Sequence, residues 1–524
     1  MNLLKDHWLP VIRQNGQLDT IAPWQIAESV NPVIEINAPR PDFQGALYQF
    51  LIGLLQTGFA PDDEDQWLEN WQQAPAPEDL KKSFEKLAFA FELDNTNGPA
   101  FLQDFELPDG ELKSISTLLI ESPGGKTLKD NLDHFIKRDR ANQLCSSCTA
   151  TALFTLHANA PSGGVGHRVG LRGGGPLTTL IVPKDTDATL WQKLWLNVLN
   201  QEELESAEKI DAQVMPWLGK TRVSNKGQIT APSDVHLLHA YWGMPRRMRL
   251  TEKCQDAVCD LCGQHADVLF REFRTKNYGT NYEGAWLHPL TPYRFDLKKV
   301  NPPLSLKGQQ GGLSYRHWLG LTLQDHDNGD TASQIVQFYN AVRGRSLNDD
   351  GHASLWCFGY DMDNMKARCW YESRFPVYYL SKGQRINLTD WAGEFVNASK
   401  DVVKILRSQV KAAWFRRPED VKGDMSQIDT QFWQTTEADF FLLLEQLAKL
   451  PEDTRIAPAE IYSNWFKTLE RKVFSVFDNV TLTANPEELD LKRIVNARKD
   501  LLKKFYGSKP IKNLKAKAKQ EEAA

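Results

Sequence analysis

Four cysteines carry the clearest chemistry in the chain. Cys145 and Cys148 stand in L-C-S-S-C-T, and Cys259 and Cys262 in V-C-D-L-C-G-Q. Each pair puts two thiols on one tight turn, and four thiolates close a tetrahedral shell around Zn²⁺ with no position left for substrate. The expectation is therefore a structural Zn²⁺ site rather than a catalytic one. Buried, loosely paired thiols are the plainer alternative. Cys254, Cys357 and Cys369 are left over as core thiols.

Near these pairs lie segments suited to phosphate. Gly163 to Gly175 reads G-G-V-G-H-R-V-G-L-R-G-G-G, whose glycines let backbone N–H groups approach a ligand and whose Arg168 and Arg172 add charge. It is no dinucleotide fingerprint, since Gly164, Gly166 and Gly170 miss the GxGxxG spacing. Gly124-Gly-Lys-Thr127 imitates the end of a Walker A loop, but Ile120 stands where the motif needs glycine. Basic residues mix with aromatics from His134 to Arg140 and again from Leu269 to Gly279, with Arg271, Arg274 and Lys276 in the second. That mixture suits phosphate and base contacts, though either segment alone is as well read as a solvated face. Asp361 and Asp363 form a candidate metal pair for nuclease chemistry, against the simpler reading of a surface turn.

Charge patterning supports a docking surface. The net charge is −5, yet no Asp or Glu occurs from Arg140 to Lys184, where the chain average would place about six. A local positive surface on an acidic protein points to a defined nucleic-acid site rather than general adhesion. No run of 18 apolar residues is present and the start has no secretory h-region, so the expected location is cytoplasmic, away from membranes. An odd count of seven cysteines agrees with a reducing compartment.

The elements that must position these residues divide at about residue 380. Residues 1–380 read as a large mixed α/β domain holding the zinc-type site of four cysteines. Helical spacing marks Ala46–Thr57 and Leu190–Leu199, and β-rich runs mark Pro176–Pro183 and Val377–Leu380. Residues 381–507 read as a four-helix bundle, from Trp391–Trp414, Thr430–Leu450, Pro458–Phe477 and Pro486–Phe505. In the third, Ile461, Trp465, Leu469, Val473 and Val476 share one face. Residues 508–524 are lysine-rich and expected to be disordered. The fold class is α+β.

The start MNLLKDHWLP, the runs L-C-S-S-C-T-A-T-A-L-F, G-L-R-G-G-G-P-L-T-T, C-D-L-C-G-Q and W-L-H-P-L-T-P, and G-Y-D-M-D-N-M-K-A-R, in that order, resemble the CasA family. These are the large subunits of the type I-E CRISPR surveillance complex, Cascade. The resemblance runs from residue 1 into the C-terminal helices. It implies a non-catalytic subunit that recognises the protospacer-adjacent motif (PAM) in double-stranded DNA. It also implies help with opening the duplex for guide-RNA pairing and R-loop formation, and recruitment of a helicase-nuclease. Other Cascade subunits are implied partners.

Carried over residue by residue, the family's glycine loop falls on Gly163, Gly164 and Gly166, with Val165 where the family has glycine. Its minor-groove lysine falls on Lys276 by chemistry and on Asn277 by an ungapped count from Cys262. Its strand-separating wedge falls on Asp363, Asn364 and Met365, with an acid where the family pattern is polar and neutral. Its loop touching guide RNA and the complex falls on Phe135, Ile136 and Lys137, about one residue shorter than the pattern. Cys145, Cys148, Cys259 and Cys262 match the zinc-type cysteines. The competing reading is a zinc-stabilised, metal-dependent nuclease using Asp361 and Asp363.

Overall fold

The computed structural model describes residues 1–104, 107, 109–122, 140–251, 253–347, 353–363, 366–420, 422–483 and 490–519, with Cys254 described in its backbone only. The chain forms two compact units. One is Met1–Gly308 with Ser333–Arg374, and the other is Gln309–Ala332 with Phe375–Ala524. The architecture is mixed α/β with long helices gathered toward the C-terminus.

The first unit is built on helix Pro41–Gly58, which carries no charge from Phe43 to Gly58 and so needs water on no face. Phe50 is its hub: the rings of Trp8, Phe91, Phe101, Phe154 and Trp242 stand edge-on to it at 5.5–6.0 Å. Each such contact contributes about 0.5–1.5 kcal/mol beyond area burial. Small antiparallel sheets surround this core. Leu9–Arg13 pairs with Leu18–Ile21 and Val33–Ile36. Glu272–Lys276 lies between Glu111–Ser114 and Arg247–Leu250. Ala353–Asp363 lies between Thr178–Pro183 and Lys366–Pro376.

The helix expected over Leu190–Leu199 is shorter, Leu190–Trp195, with a capping box from Thr189 and Gln192. Asn197 explains the stop. Its side chain accepts from Ile181 N at 2.8 Å and donates to Ile181 O at 2.7 Å, completing the Thr178–Pro183 strand instead of continuing the helix.

In the second unit, helices Lys382–Trp414, Ser426–Ala448, Ala459–Leu482 and Leu491–Gly507 pack as a bundle. Ile461, Trp465, Leu469, Val473 and Val476 are all buried, as their spacing requires. Trp465 centres the core, 5.7–6.0 Å from the rings of Phe440, Phe395 and Tyr315. Two expectations differ from what forms here. Val377–Leu380 is not a strand: the hairpin strand ends at Pro376, and buried Val377 and Leu380 lead directly into Ser381, the cap of the next helix. The lysine-rich tail is not disordered throughout, because Lys509–Lys517 is a helix capped by Ser508. Ile511 and Leu514, one turn apart, are buried and anchor it. Pro486 lies outside the described residues.

Candidate metal centre and nucleic-acid interface

The four cysteines converge. Their sulfurs all lie within 4.8 Å of one another, and the cluster could hold a metal ion. Two local structures present them. Cys145 caps helix Ser146–Asn159, its Sγ accepting from Cys148 N at 3.5 Å. Cys259 and Cys262 sit on a turn closed by Gly263, which has φ +71° and donates its N–H to Cys259 O at 2.9 Å. The turns are laced together: Cys145 N donates to Cys259 Sγ at 3.3 Å, and Asp260 Oδ2 accepts from Asn142 N and Gln143 N at 2.7 and 3.0 Å.

Such crowding cannot leave four thiols alike. Hydrogen bonds from Cys145 and Cys148 bring Cys262 down to about 7, while those with Cys145, Cys259 and Cys262 drive Cys148 far up. A divalent cation removes that imbalance, because all four sulfurs can then be thiolates.

Strand pairing links this cluster to the basic segment. Leu269 pairs with Cys145 and Phe270 with Leu144, and the chain then continues into strand Glu272–Lys276. Lys276 is thus at most about 23 Å from Leu269 along the chain. Phe270 and Phe273 point into the core, so they give no stacking platform for bases. Lys276 and Asn277, in contrast, are exposed where the strand ends.

The glycine loop meets this strand end. Tyr278 N donates to Gly166 O at 2.7 Å. Gly166 has φ +75°, and a Cβ there would lie 2.8 Å from Asn277 Cβ and 2.9 Å from Tyr278 N. Gly164 has φ +93° and open space around it, and Val165 is 75% exposed. Tyr278 itself adopts φ +64°, a costly backbone state for a non-glycine residue. It is held by Gly166 on one side and by its carbonyl accepting from Ser224 N at 3.1 Å on the other. Arg168 braces the same corner, donating to Ser224 Oγ and O at 2.9 and 3.2 Å.

Not every predicted cation faces outward. Arg172 is buried, donating to Thr178, Thr291 and Gln49, and burial lowers it to about 10. His157 is buried and brought down to about 3 by burial, so it is neutral. The second half of the glycine segment is packing. Gly173 and Gly174 lie against Lys307, which donates to Gly174 O at 2.9 Å, and a Cβ on Gly175 would meet Met362 at 2.7 Å.

The hairpin of Ala353–Asp363 and Lys366–Pro376 carries exposed Asp363 at its end, while Asn364 and Met365 lie outside the described residues. Asp361 is buried and bound bidentately by Arg368 at 2.7 and 3.0 Å, and Asp363 stands 3.6 Å from the same guanidinium. Arg368 thus occupies the position a metal would take between them. Farther along, Tyr360 donates to Asp42, which Arg40 binds together with Glu121. Phe135, Ile136 and Lys137 lie outside the described residues. Sequence reasoning missed Arg246, Arg368 and Ser224. Only their position in space marks them, because each is an ordinary residue with no spacing signal.

The chain thus combines a mixed α/β unit, which joins a four-cysteine cluster to a glycine loop, with a second, helical-bundle unit. The family model described as CRISPR-associated protein Cse1 matches residues 2–476, and the chain belongs to that family. The fold is similar to that of Thermus thermophilus CasA (Cse1), with TM-score 0.68, 16% identity, and coverage of 96% of this chain and 99% of that one. Thermobifida fusca Cse1 gives TM-score 0.69 at 15% identity, covering 98% of each chain. A chain of a structure titled "CRISPR RNA-guided surveillance complex" gives 0.67 at 13% identity, covering 97% and 99%. Among the described residues no helix is long and apolar enough to cross a membrane.

Proposed function

We propose that this protein is the large, non-catalytic subunit of a Cascade-type CRISPR surveillance complex. It reads the PAM in double-stranded DNA, helps open the duplex for R-loop formation by the guide RNA, and helps recruit the helicase-nuclease. It works in the cytoplasm among the other Cascade subunits. One observation carries the reading: the bond from Tyr278 N to Gly166 O sets the glycine loop against exposed Asn277 and Lys276. Backbone without side chains beside one long cation suits the narrow minor groove, whose code is degenerate and is read by close approach and charge. Gly163, Gly164 and Gly166 supply the backbone. Lys276 supplies the charge, and adjacent Asn277 is a second donor.

The hairpin end, with Asp363, Asn364 and Met365, is the wedge in this reading. Phe135, Ile136 and Lys137 contact guide RNA and the complex. The four cysteines hold a structural Zn²⁺. A regular ZnS₄ tetrahedron with bonds of about 2.3 Å has edges of about 3.8 Å. The Cys145–Cys262 sulfur separation is 3.8 Å. When bound, the ion supplies cross-linking and no open coordination position. The nuclease reading of Asp361 and Asp363 gains no support, since both carboxylates turn to Arg368.

The test is PAM-dependent binding by the reconstituted complex carrying Lys276→Ala or Asn277→Ala. Loss of discrimination between flanking sequences with Lys276→Ala supports the reading. Unchanged discrimination in both variants removes it.

A further inference from the structure

Arg246 is a half-buried cation, its Nε enclosed, that the reading above does not use. Its Nη2 donates to Pro161 O, and its Nη1 lies 2.9 Å from where a Cβ on Gly163 would stand. Its backbone packs under the other reading element. A Cβ on Gly279 would meet Pro245 O at 2.0 Å and Arg246 Cα at 3.2 Å. One residue therefore touches both the start of the glycine loop and the end of the Lys276–Gly279 segment. Its Nε–H has no partner among the described residues.

The neighbouring arginine is treated differently by the fold: Arg247 Nε meets Asp104 Oδ2 at 2.6 Å. Arg246 instead donates to a carbonyl, and burial lowers it to about 10, with no acid among the described residues opposing the shift. Its charge is felt inside the loop, where His167 is pushed down by burial first and then by Arg246. A partly desolvated cation with no acid beside it among the described residues is costly to the fold. In low dielectric its field also reaches farther than that of a solvated lysine.

We propose that Arg246 is a positioning residue of the glycine loop and the half-buried positive charge that draws a DNA phosphate to it. This rests on the DNA-reading role proposed above. The counter-ion that the described residues do not supply is then the phosphate itself, which arrives with the duplex. The cost to folding is the counterpart of the gain in binding, as expected where a local rule is broken at a functional site.

Two substitutions separate charge from packing. Arg246→Gln keeps a donor for Pro161 O and removes the charge, while Arg246→Lys keeps the charge. Both are assayed in the reconstituted complex on a duplex that the wild-type complex selects from a randomised flank, across a salt series, with Lys276→Ala alongside. Thermal unfolding of each chain is measured separately. The expected result for Arg246→Gln is an unchanged or higher Tm, with affinity lowered roughly tenfold at low salt and by less at high salt. Arg246→Lys should retain most of the affinity. Equal binding by wild type and Arg246→Gln at low salt, with Lys276→Ala impaired, overturns the inference alone. If both variants lose Tm and affinity together, Arg246 is packing only and the inference fails. If the wild-type complex selects no flanking sequence, the DNA-reading role itself fails.

Discussion

Gly166→Ala is the sharpest perturbation available at the glycine loop. The glycine has φ +75°, so alanine there incurs a left-handed backbone cost of about 1–2 kcal/mol. Its Cβ would also stand 2.8 Å from Asn277 Cβ and 2.9 Å from Tyr278 N, contacts that force a shift. Overpacking of this kind costs about 1–3 kcal/mol. Because one neighbour is backbone, the loop must move off the Lys276 segment and lose the Tyr278–Gly166 bond. The two contributions together are about 2–5 kcal/mol, or roughly 30-fold or more in affinity if DNA requires the native loop.

Gly164→Ala is the matched control. It has φ +93° but nothing within 4 Å, so only the backbone cost of about 1–2 kcal/mol remains. The assay is equilibrium binding of reconstituted complexes to fluorescent duplexes with and without the preferred flank, with thermal unfolding as a check on folding. Gly166→Ala should bind roughly 5- to 150-fold more weakly than Gly164→Ala, the ratio set by the overpacking cost alone, with the difference confined to the preferred flank. Equal losses in the two variants would refute the argument from close approach, and no loss in either would refute the loop's role.

Replacing Cys148 by Ser should reduce metal content from an expected one zinc per chain and lower Tm, because a bound ion would tie together two turns that are far apart in sequence. Elemental analysis with thermal unfolding checks this. Arg368→Ala should leave Asp361 and Asp363 without their shared cation and weaken duplex binding most at low salt, and adding Asp363→Asn should restore part of it. A salt series on the three proteins decides. Acid should destabilise the first unit. His157, brought to about 3, His239, brought to about 4, and His288, also depressed, are neutral in the fold because burial opposes their charge. Their folded values lie below the unfolded value, so the stabilisation is present above about pH 6.5 and is lost as pH falls toward 4. The limiting slope is about 4 kcal/mol per pH unit for three protons, which calorimetry between about pH 7 and 4.5 measures directly.

The cysteine cluster was legible in the sequence because metal-ligand spacing is local within each pair, and only the meeting of the pairs had to be inferred. The bundle was legible for a similar reason: the spacing of Ile461, Trp465, Leu469, Val473 and Val476 fixes a buried face without knowing its partner. The tail helix was hidden by composition, since two apolar residues, Ile511 and Leu514, outweigh the lysines around them once a groove receives them. The glycine segment was half legible. Its composition suggests open backbone throughout, yet Gly173 to Gly175 pack against Lys307 and Met362 while Gly164 stays open. Composition also overstated the exposed charge, because Arg172 and His157 point inward. Arg246 and Ser224 could not be read from one sequence, since their roles come from long-range contacts, and Arg368 meets Asp361 and Asp363 only because a hairpin brings its two strands together.

The role proposed for this chain is to read a short flanking sequence in duplex DNA. The most direct measurement is selection of targets with a randomised flank by the surveillance complex reconstituted with and without the chain. The expected result is enrichment of a short flank only when the chain is present, and loss of that enrichment with Lys276→Ala. The same enrichment in the complex lacking the chain, or none in either, would contradict it.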